Sequence, residues 1–341
     1  MNVTRSFLFF ASASLLGCGG PAAQPKRDIK LTSPKELCAK QNLPDNGFCM
    51  PADRIERLLK AGDMNVLQAR ATSSGTAGAQ TFWLEFPKEH VVLKAKWKEA
   101  ARGGSALNNE PRKELAAYVF QKLFLDPDEF VVPPTVGRCI PLEVYKAEVR
   151  PTKPTFPGTE CAFGAVSYWL EGIHEMPPFD KSRFESDLRY RSAIANLNLF
   201  TYLFDHRDTR PANFAMTKNH DEPRAFAIDN GLALSGLKNP RTAFLHEWEH
   251  IVVSKVPHEK IERLRKITRA DLDKLATVAE FSINGKQLDE IPTTAAFEDD
   301  EGVRLKENIV QLGLKTAEID GIESRIKELL QRVDSGKLAQ Y

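Results

Sequence analysis

The sequence predicts an α+β fold in two lobes, a strand-rich lobe followed by a helical one. Three observations carry this expectation. Four apolar or alternating runs, Trp83–Phe86, Val91–Trp97, Val131–Pro141 and Ala162–Leu170, read as strands. Helical spacing dominates from Phe184 onward. A length of 341 residues exceeds one ordinary domain and suits two packed units. With 42% hydrophobic residues the chain has material for a real core. A formal net charge of +1 argues against a nucleic-acid binder, which is normally basic.

Residues 1–17 carry Arg5 and the apolar run Phe7–Leu16, which is too short to span a bilayer and suits a signal peptide. The run ends Leu15-Leu16-Gly17-Cys18 and resembles a bacterial lipobox, in which the cysteine is acylated and anchors the mature chain. The expectation is an exported lipoprotein at the outer membrane, facing the periplasm or the cell surface. Removal of residues 1–17 takes out one arginine and no acid, which leaves a balanced charge. Residues 18–35, rich in Gly, Pro, Ala and Lys, read as a tether. Four cysteines remain beyond Cys18, and an even number in an exported chain predicts two disulfides. The shortest loops pair Cys38 with Cys49 and Cys139 with Cys161.

The elements follow in order. Residues 36–170 form the first lobe with an N-terminal extension, and 171–341 the helical second lobe. Pro51–Ala61 reads as a short helix, and a Pro-Lys-Glu-His turn joins Trp83–Phe86 to Val91–Trp97. Pro111–Leu125 has helical spacing at Leu115, Val119 and Leu123, with Pro111 suited to the first turn. Phe184–Phe204, Lys255–Lys266 and Asp271–Glu280 read as helices. Gly302–Val333 places Leu305, Leu312, Ile319, Ile326 and Val333 at seven-residue steps. Gly313, Lys315 and Gly321 weaken a coiled coil there, so a core-packing helix is expected.

The most informative stretch is Phe204–Asn213, which contains His206-Arg207-Asp208 and then Asn213, five residues after the aspartate. The pattern H-R-D-x-x-x-x-N resembles the catalytic loop of protein kinases. An Asp there orients the attacking hydroxyl and takes its proton, and the Asn reaches a metal held by phosphates. Ala227-Ile228-Asp229-Asn230-Gly231 then delivers a second aspartate to a strand end before a glycine. The separation of 21 positions from Asp208 to Asp229 leaves room for one hairpin around Thr217–Arg224. Lys94 ends the apolar run Val91–Leu93, and Lys96 and Lys98 share its strand face by period two. The choice among these lysines stays open, with Lys94 preferred. Glu114, twenty residues beyond Lys94, lies in the helix Pro111–Leu125, and Glu110 competes with it. Upstream, Gly75 and Gly78 sit in a Gly-rich stretch suited to covering phosphates.

Lys113–Tyr118, Val132–Arg138 and Ile228–Gly231 resemble the secretory-pathway kinase family, which includes the Golgi casein kinase and the proteoglycan xylosylkinase. The resemblance covers roughly Val91–Leu234, less than half the chain. It implies a bilobal protein-kinase-like fold, ATP with Mg²⁺ or Mn²⁺, and phosphoryl transfer to a hydroxyl on a protein or glycan acceptor. By that resemblance Lys94 holds phosphates, Glu114 positions Lys94 or metal, Asp208 is the catalytic base and Asp229 a metal ligand, with Asn213 as in ordinary protein kinases. Tyr168–Glu171 is expected to be the hinge, with Glu171 at the adenine. The family often has Asp-Arg-His at the catalytic aspartate, where this chain has Asp208-Thr209-Arg210.

Two readings compete. An exported protein meets little ATP, so a non-catalytic binding module of pseudokinase type is the first. The second rests on His246-Glu247-Trp248-Glu249-His250, an H-E-x-x-H pattern that on a helix would present two zinc ligands and a base. Glu249 puts a charge inside that motif, and no third ligand follows at a recognised spacing.

Overall fold

The computed structural model describes residues 47–72, 78–106, 109–235 and 248–341. Helix α1, Ala52–Lys60, buries Ala52, Ile55, Leu58 and Leu59 on one stripe and keeps Arg57 and Lys60 near its C-terminal end, where the helix dipole favours cations. Strands β1 (Asn65–Ala71), β2 (Gln80–Phe86) and β3 (Val91–Glu99) form a meander. The turn before β3 is a single 3₁₀ turn, Pro87–Glu89, closed by His90 in the left-handed region at φ 52°. Helix α2, Pro111–Gln121, starts on Pro111, whose missing N–H costs nothing at a helix start. It is followed by β4 (Thr135–Pro141), α3 (Leu142–Glu148) and β5 (Cys161–Tyr168).

These five strands form one antiparallel sheet in the order β1-β2-β3-β5-β4. The expected strand from Val131 begins only at Thr135, because Val131 and Val132 give their N–H groups to the Gln121 side chain instead of a ladder. Strand β1 and helix α3 were not expected from the sequence. Cys139 and Cys161 form a disulfide across β4 and β5, with Cα atoms 5.5 Å apart. Cys49 is also disulfide-bonded, and its partner lies outside the described residues, as do Cys18 and Cys38.

The second half begins with β6 (Ile173–Glu175) and continues through α4 (Lys181–Ser186) and α5 (Leu188–Leu203). One helix was expected over Phe184–Phe204. Asp187 breaks it: its extended backbone ends α4, and its side chain accepts from the Arg189 and Tyr190 N–H groups as the N-cap of α5. From Tyr190 onward α5 is almost wholly buried, so it runs through the main core. A short hairpin, β7 (Phe214–Thr217) and β8 (Ala225–Ala227), joins β6 in a three-stranded sheet. Then come β9 (Lys255–Val256), α6 (His258–Lys266) and α7 (Arg269–Asp273).

The C-terminal third corrects the expectation of a purely helical half. Strands β10 (Ala279–Asn284), β11 (Gln287–Ile291), β12 (Val303–Lys306) and β13 (Ile309–Leu312) build an antiparallel sheet in the order β11-β10-β13-β12. The expected helix Asp271–Glu280 therefore ends early, and Glu280 lies in a strand, buried and satisfied by Thr294 and Gln311. Helix α8 spans Thr316–Asp334 only, and the short strand β14 (Ala339–Gln340) pairs parallel with β9. Ile319, Ile326 and Val333 do lie on the buried stripe of α8. Leu312 is buried on β13, and Leu305 is 43% exposed on β12.

One continuous apolar core runs from Phe82 and Trp97 through Phe120 and Phe124 to Phe200, Phe204 and the buried stripe of α8. A smaller core, with Phe163 packed edge-on against Phe281, joins the first sheet to the C-terminal sheet. Among the described residues no helix is long and apolar enough to cross a membrane.

Gln121, fully buried, accepts from Val131 and Val132 N–H at 2.9 and 2.8 Å and donates to the Val132 carbonyl at 2.8 Å. Gln121→Leu strands those three backbone groups in the core. We expect a loss of about 2–4 kcal/mol in urea unfolding, with the m-value unchanged.

Candidate functional site

Strand β3 places Lys94, Lys96 and Lys98 on one face and buries Ala95 and Trp97 on the other. Register sets Lys94 opposite Trp83 and Lys96 opposite Ser167. Lys98, the lysine nearest the end of the strand, is 3% exposed. Its Nζ donates to Glu114 Oε1 at 3.1 Å and to Asp229 Oδ1 at 3.0 Å. Lys96 Nζ donates to the Ile228 carbonyl at 3.0 Å and lies 3.5 Å from Asp229 Oδ2. The other oxygen of Glu114 accepts the Asn230 N–H at 3.0 Å. Three separate segments thus meet on one buried ammonium.

Glu114, rather than Glu110, is therefore the α2 acid at this point, and Glu110 pairs with Arg112 and Lys113. Lys98, rather than the preferred Lys94, is the lysine that reaches both acids. Lys94 sits short of them because β3 carries it about two residue pairs back along the face. Its ammonium lies 3.9 Å over the Trp169 ring and 5.8 Å from the Trp83 ring. Arg70 stacks on the far side of this series, 5.2 Å from Trp83. The result is a row of alternating cations and indoles, worth about 0.5–2 kcal/mol per contact, that no local motif announced.

Burial alone would raise the Asp229 pKa, but Lys96 and Lys98 hold its carboxyl well below the usual range. Burial would lower Lys98, and Asp229 and Glu114 more than reverse this, so it titrates above ordinary lysine. Lys94 goes the other way: burial lowers it, and the Glu171 charge opposes that only in part. A side chain at Gly231 would have to displace the Lys98 ammonium, since its Cβ would stand 2.6 Å from Lys98 Nζ.

The loop after α5 turns on Asp205, a non-glycine residue at φ 44°. Its backbone is fixed at both ends. His206 N–H bonds the Thr201 carbonyl at 2.9 Å, and the Asp205 carbonyl accepts Leu234 N–H at 3.0 Å. Its carboxylate pairs with Arg207 Nε at 2.9 Å and with Arg325 of α8 at 2.7 Å, and Arg207 also reaches Glu249 at 3.3 Å. Asn213 closes the loop by donating to the Asp208 carbonyl at 2.9 Å, and its own carbonyl accepts Ile228 N–H at 2.9 Å. This last bond ties the loop to the strand end that carries Asp229.

Asp208 is 8% exposed, its Oδ2 lies 3.4 Å from Arg210 Nε, and its Oδ1 is buried without a hydrogen-bond partner. Buried Asn230 Oδ1 is likewise unpartnered. His206 is 1% exposed against Phe214, with neither ring nitrogen bonded. Burial keeps its pKa below the ordinary value, opposed by the charges of Asp229 and Asp208. Burial therefore disfavours the charged imidazolium.

At the expected hinge, Glu171 pairs with Gly47 as an isolated bridge, its N–H on the Gly47 carbonyl at 3.2 Å. Gly78 stands just before β2 at φ 67° with open space around it, and Gly75 lies outside the described residues. His246 and Glu247 also lie outside them, while His250 has a 70% exposed side chain. Among the described residues no three His, Cys, Asp or Glu side chains gather as a metal cage. No known family model matches the chain, and no curated protein matches it either.

Lys98→Met leaves two carboxylates facing each other without their shared cation. We expect a loss of about 3–5 kcal/mol at neutral pH. The folded pKa of Asp229 lies below its unfolded value, so its contribution is complete above the carboxylate range and fades as pH falls through it. Lys98 is raised, so its contribution is complete below ordinary lysine values and fades only above them. The difference between wild type and variant should therefore be flat from about pH 5 to 10 and shrink below about pH 4, where the variant's carboxyls are neutral. Equal denaturation midpoints at pH 7 would contradict this account.

Proposed function

We propose that the chain is a metal-dependent phosphotransferase of bilobal protein-kinase-like architecture, moving the γ-phosphoryl of ATP to a hydroxyl of a protein or glycan acceptor. One observation carries the reading: a strand lysine, Lys98, held between a helix acid, Glu114, and the acid after a hairpin, Asp229. The loop bearing Asp208 and Asn213 is bonded to the same strand end. The order of these elements also supports it, with an antiparallel sheet and α2 first, then α5, the loop, the hairpin and Asp229.

The residues fit a hard cation that shares its shell with phosphates. Mg²⁺ prefers oxygen donors and takes one or two carboxylates together with substrate phosphates. Asp229 and Asn213 would hold it, and the unpartnered oxygens of Asp208 and Asn230 are donors of the same class. When bound, the ion neutralises charge on the phosphates. Lys98, fixed by Glu114, and Lys96 supply positive charge from the sheet face. Asp208, buried with one free oxygen, aligns the acceptor hydroxyl and takes its proton. His206 backs the loop through its packing on Phe214. Trp169 and Trp83 offer flat apolar faces for the base, beside Lys94.

A non-catalytic nucleotide-binding module is the second reading. It is favoured by the engagement of both Asp229 oxygens, one by Lys98 and one by Lys96. ATP with Mg²⁺ or Mn²⁺ at a hundred times Kd is expected to stabilise the protein by about 2.7 kcal/mol under either reading. Transfer of labelled γ-phosphate to a hydroxyl acceptor separates them. Asp208→Asn should lower transfer about 10²–10⁴-fold with the fold retained, and Asp229→Ala should abolish it. Transfer that survives Asp229→Ala would overturn the assignment.

We further read the chain as an exported lipoprotein anchored through Cys18. Cys18→Ser is expected to move it from the membrane fraction to the soluble fraction, and retention in the membrane would contradict the anchor.

A further inference from the structure

A cavity of about 280 Å³ opens where β3 ends, between residues 99–102, Asn109 ahead of α2, and the loop 150–155 that follows α3. Glu99 shares the Tyr145 hydroxyl with Trp97, on the face of β3 opposite Lys94, Lys96 and Lys98. The cavity therefore stands apart from the candidate site.

Its one acid is Glu99, and that carboxylate is already spent. It accepts from the Tyr145 hydroxyl at 2.8 Å, from Arg150 Nη2 at 2.6 Å and from the Thr152 hydroxyl at 2.7 Å. Burial alone would raise its pKa, but Arg150, Thr152 and Tyr145 lower it, so Glu99 keeps its charge and Arg150 balances it. Asn109 gives its amide N–H to the Glu99 carbonyl at 2.7 Å, and its own oxygen is sealed from solvent. Thr155 Oγ1 accepts the Phe163 N–H at 2.8 Å. Glu110, next along the chain from Asn109, is taken by Arg112 and Lys113.

Two cations are left over. Arg102 and Lys153 are exposed on the lining and make no hydrogen bond or ion pair among the described residues. Three cations against one acid leave two positive charges in the lining without a counter-charge. A concave surface with one sign of charge concentrates counter-ions, because its low-dielectric walls focus the field. A carboxylate carries a single charge, whereas a phosphate monoester carries about −1.5 to −2 at neutral pH and offers three acceptor oxygens. The second matches two free cations, and a guanidinium fork fits its oxygens. The space, about nine water volumes at roughly 30 Å³ each, admits a phosphate group with part of the molecule that carries it.

We propose that this cavity is a binding site for a dianionic phosphate group, with Arg102 and Lys153 supplying the charge. The group arrives as inorganic phosphate or as a monoester on another molecule. The two sources differ in whether the site accepts an ester stem.

The test is a titration of the full chain at pH 8 and fixed ionic strength, without nucleotide or metal, read from amide chemical shifts at residues 99–102 and 150–155. The probes are inorganic phosphate, methyl phosphate and methyl sulfate, the last having the shape of methyl phosphate with one charge. Inorganic phosphate is expected to saturate these shifts, with methyl sulfate about tenfold weaker or more. The double variant Arg102→Gln, Lys153→Gln, changed only at exposed positions, should weaken phosphate about tenfold or more, since both charge-assisted partners are gone. Methyl phosphate binding as tightly as the inorganic ion assigns the site to an ester, and methyl phosphate about tenfold weaker assigns it to the free ion; both uphold the proposal. It is overturned if methyl sulfate binds as tightly as inorganic phosphate, if the shifts fall only on other residues, if the double variant binds as tightly as the parent, or if nothing saturates by about 50 mM, well beyond the millimolar range. No ATP or acceptor is used, so failure here leaves the phosphotransferase reading to its own assay.

Discussion

The Lys98 ammonium is the point on which the arrangement depends. It is buried, and a buried cation survives only when anions meet it at close range. Glu114 and Asp229 do so from segments that are distant along the chain. That requirement fixes how α2 lies on the sheet, where β8 must end and why Gly231 has no side chain. Three consecutive charged residues of α2, Arg112, Lys113 and Glu114, are all buried. Glu114 meets Lys98, while Arg112 and Lys113 share Glu110 and Glu318, Arg112 reaching Glu318 of α8 at 2.6 Å. Helix α2 is thus pinned by ions at both sides, to the site and to the C-terminal helix.

A second ionic chain supports the loop. Asp205 takes a left-handed backbone that costs an ordinary residue about 1 kcal/mol or more, and two arginines repay it through its carboxylate. Since one of them is Arg325, α8 contributes to both halves of the candidate site. The C-terminal helix therefore helps to hold the loop that carries Asp208.

Much of the site was legible because its parts are local in sequence. The interval between Asp208 and Asn213, the strand-end Asp229 and Gly231, and the helix carrying Glu114 all stand in short readable patterns. The choice among Lys94, Lys96 and Lys98 was not legible. Period two puts all three on one face, and only the crossing point of α2 selects Lys98. The indole row of Trp83 and Trp169 was missed for the same reason, since it exists only through strand register. The C-terminal sheet was hidden by coincidence. Leu305 and Leu312 fall in step with Ile319 and Ile326, yet the first two belong to strands whose buried Arg304 and Gln311 mimic a helix's polar face. Arg325 pairs with Asp205 across a long sequence gap, and nothing local marks it.

The entry of the chain into the fold has a mechanical meaning. Gly47 bridges Glu171, Phe48 packs against Tyr168 and Phe226, and the Cys49 N–H donates to the Tyr168 hydroxyl at 3.3 Å. Tension applied along the residues before Gly47 would therefore be delivered beside Tyr168, Glu171 and Phe226. A chain held at its N-terminal side would feel that load at the segment beside Lys94 and Trp169.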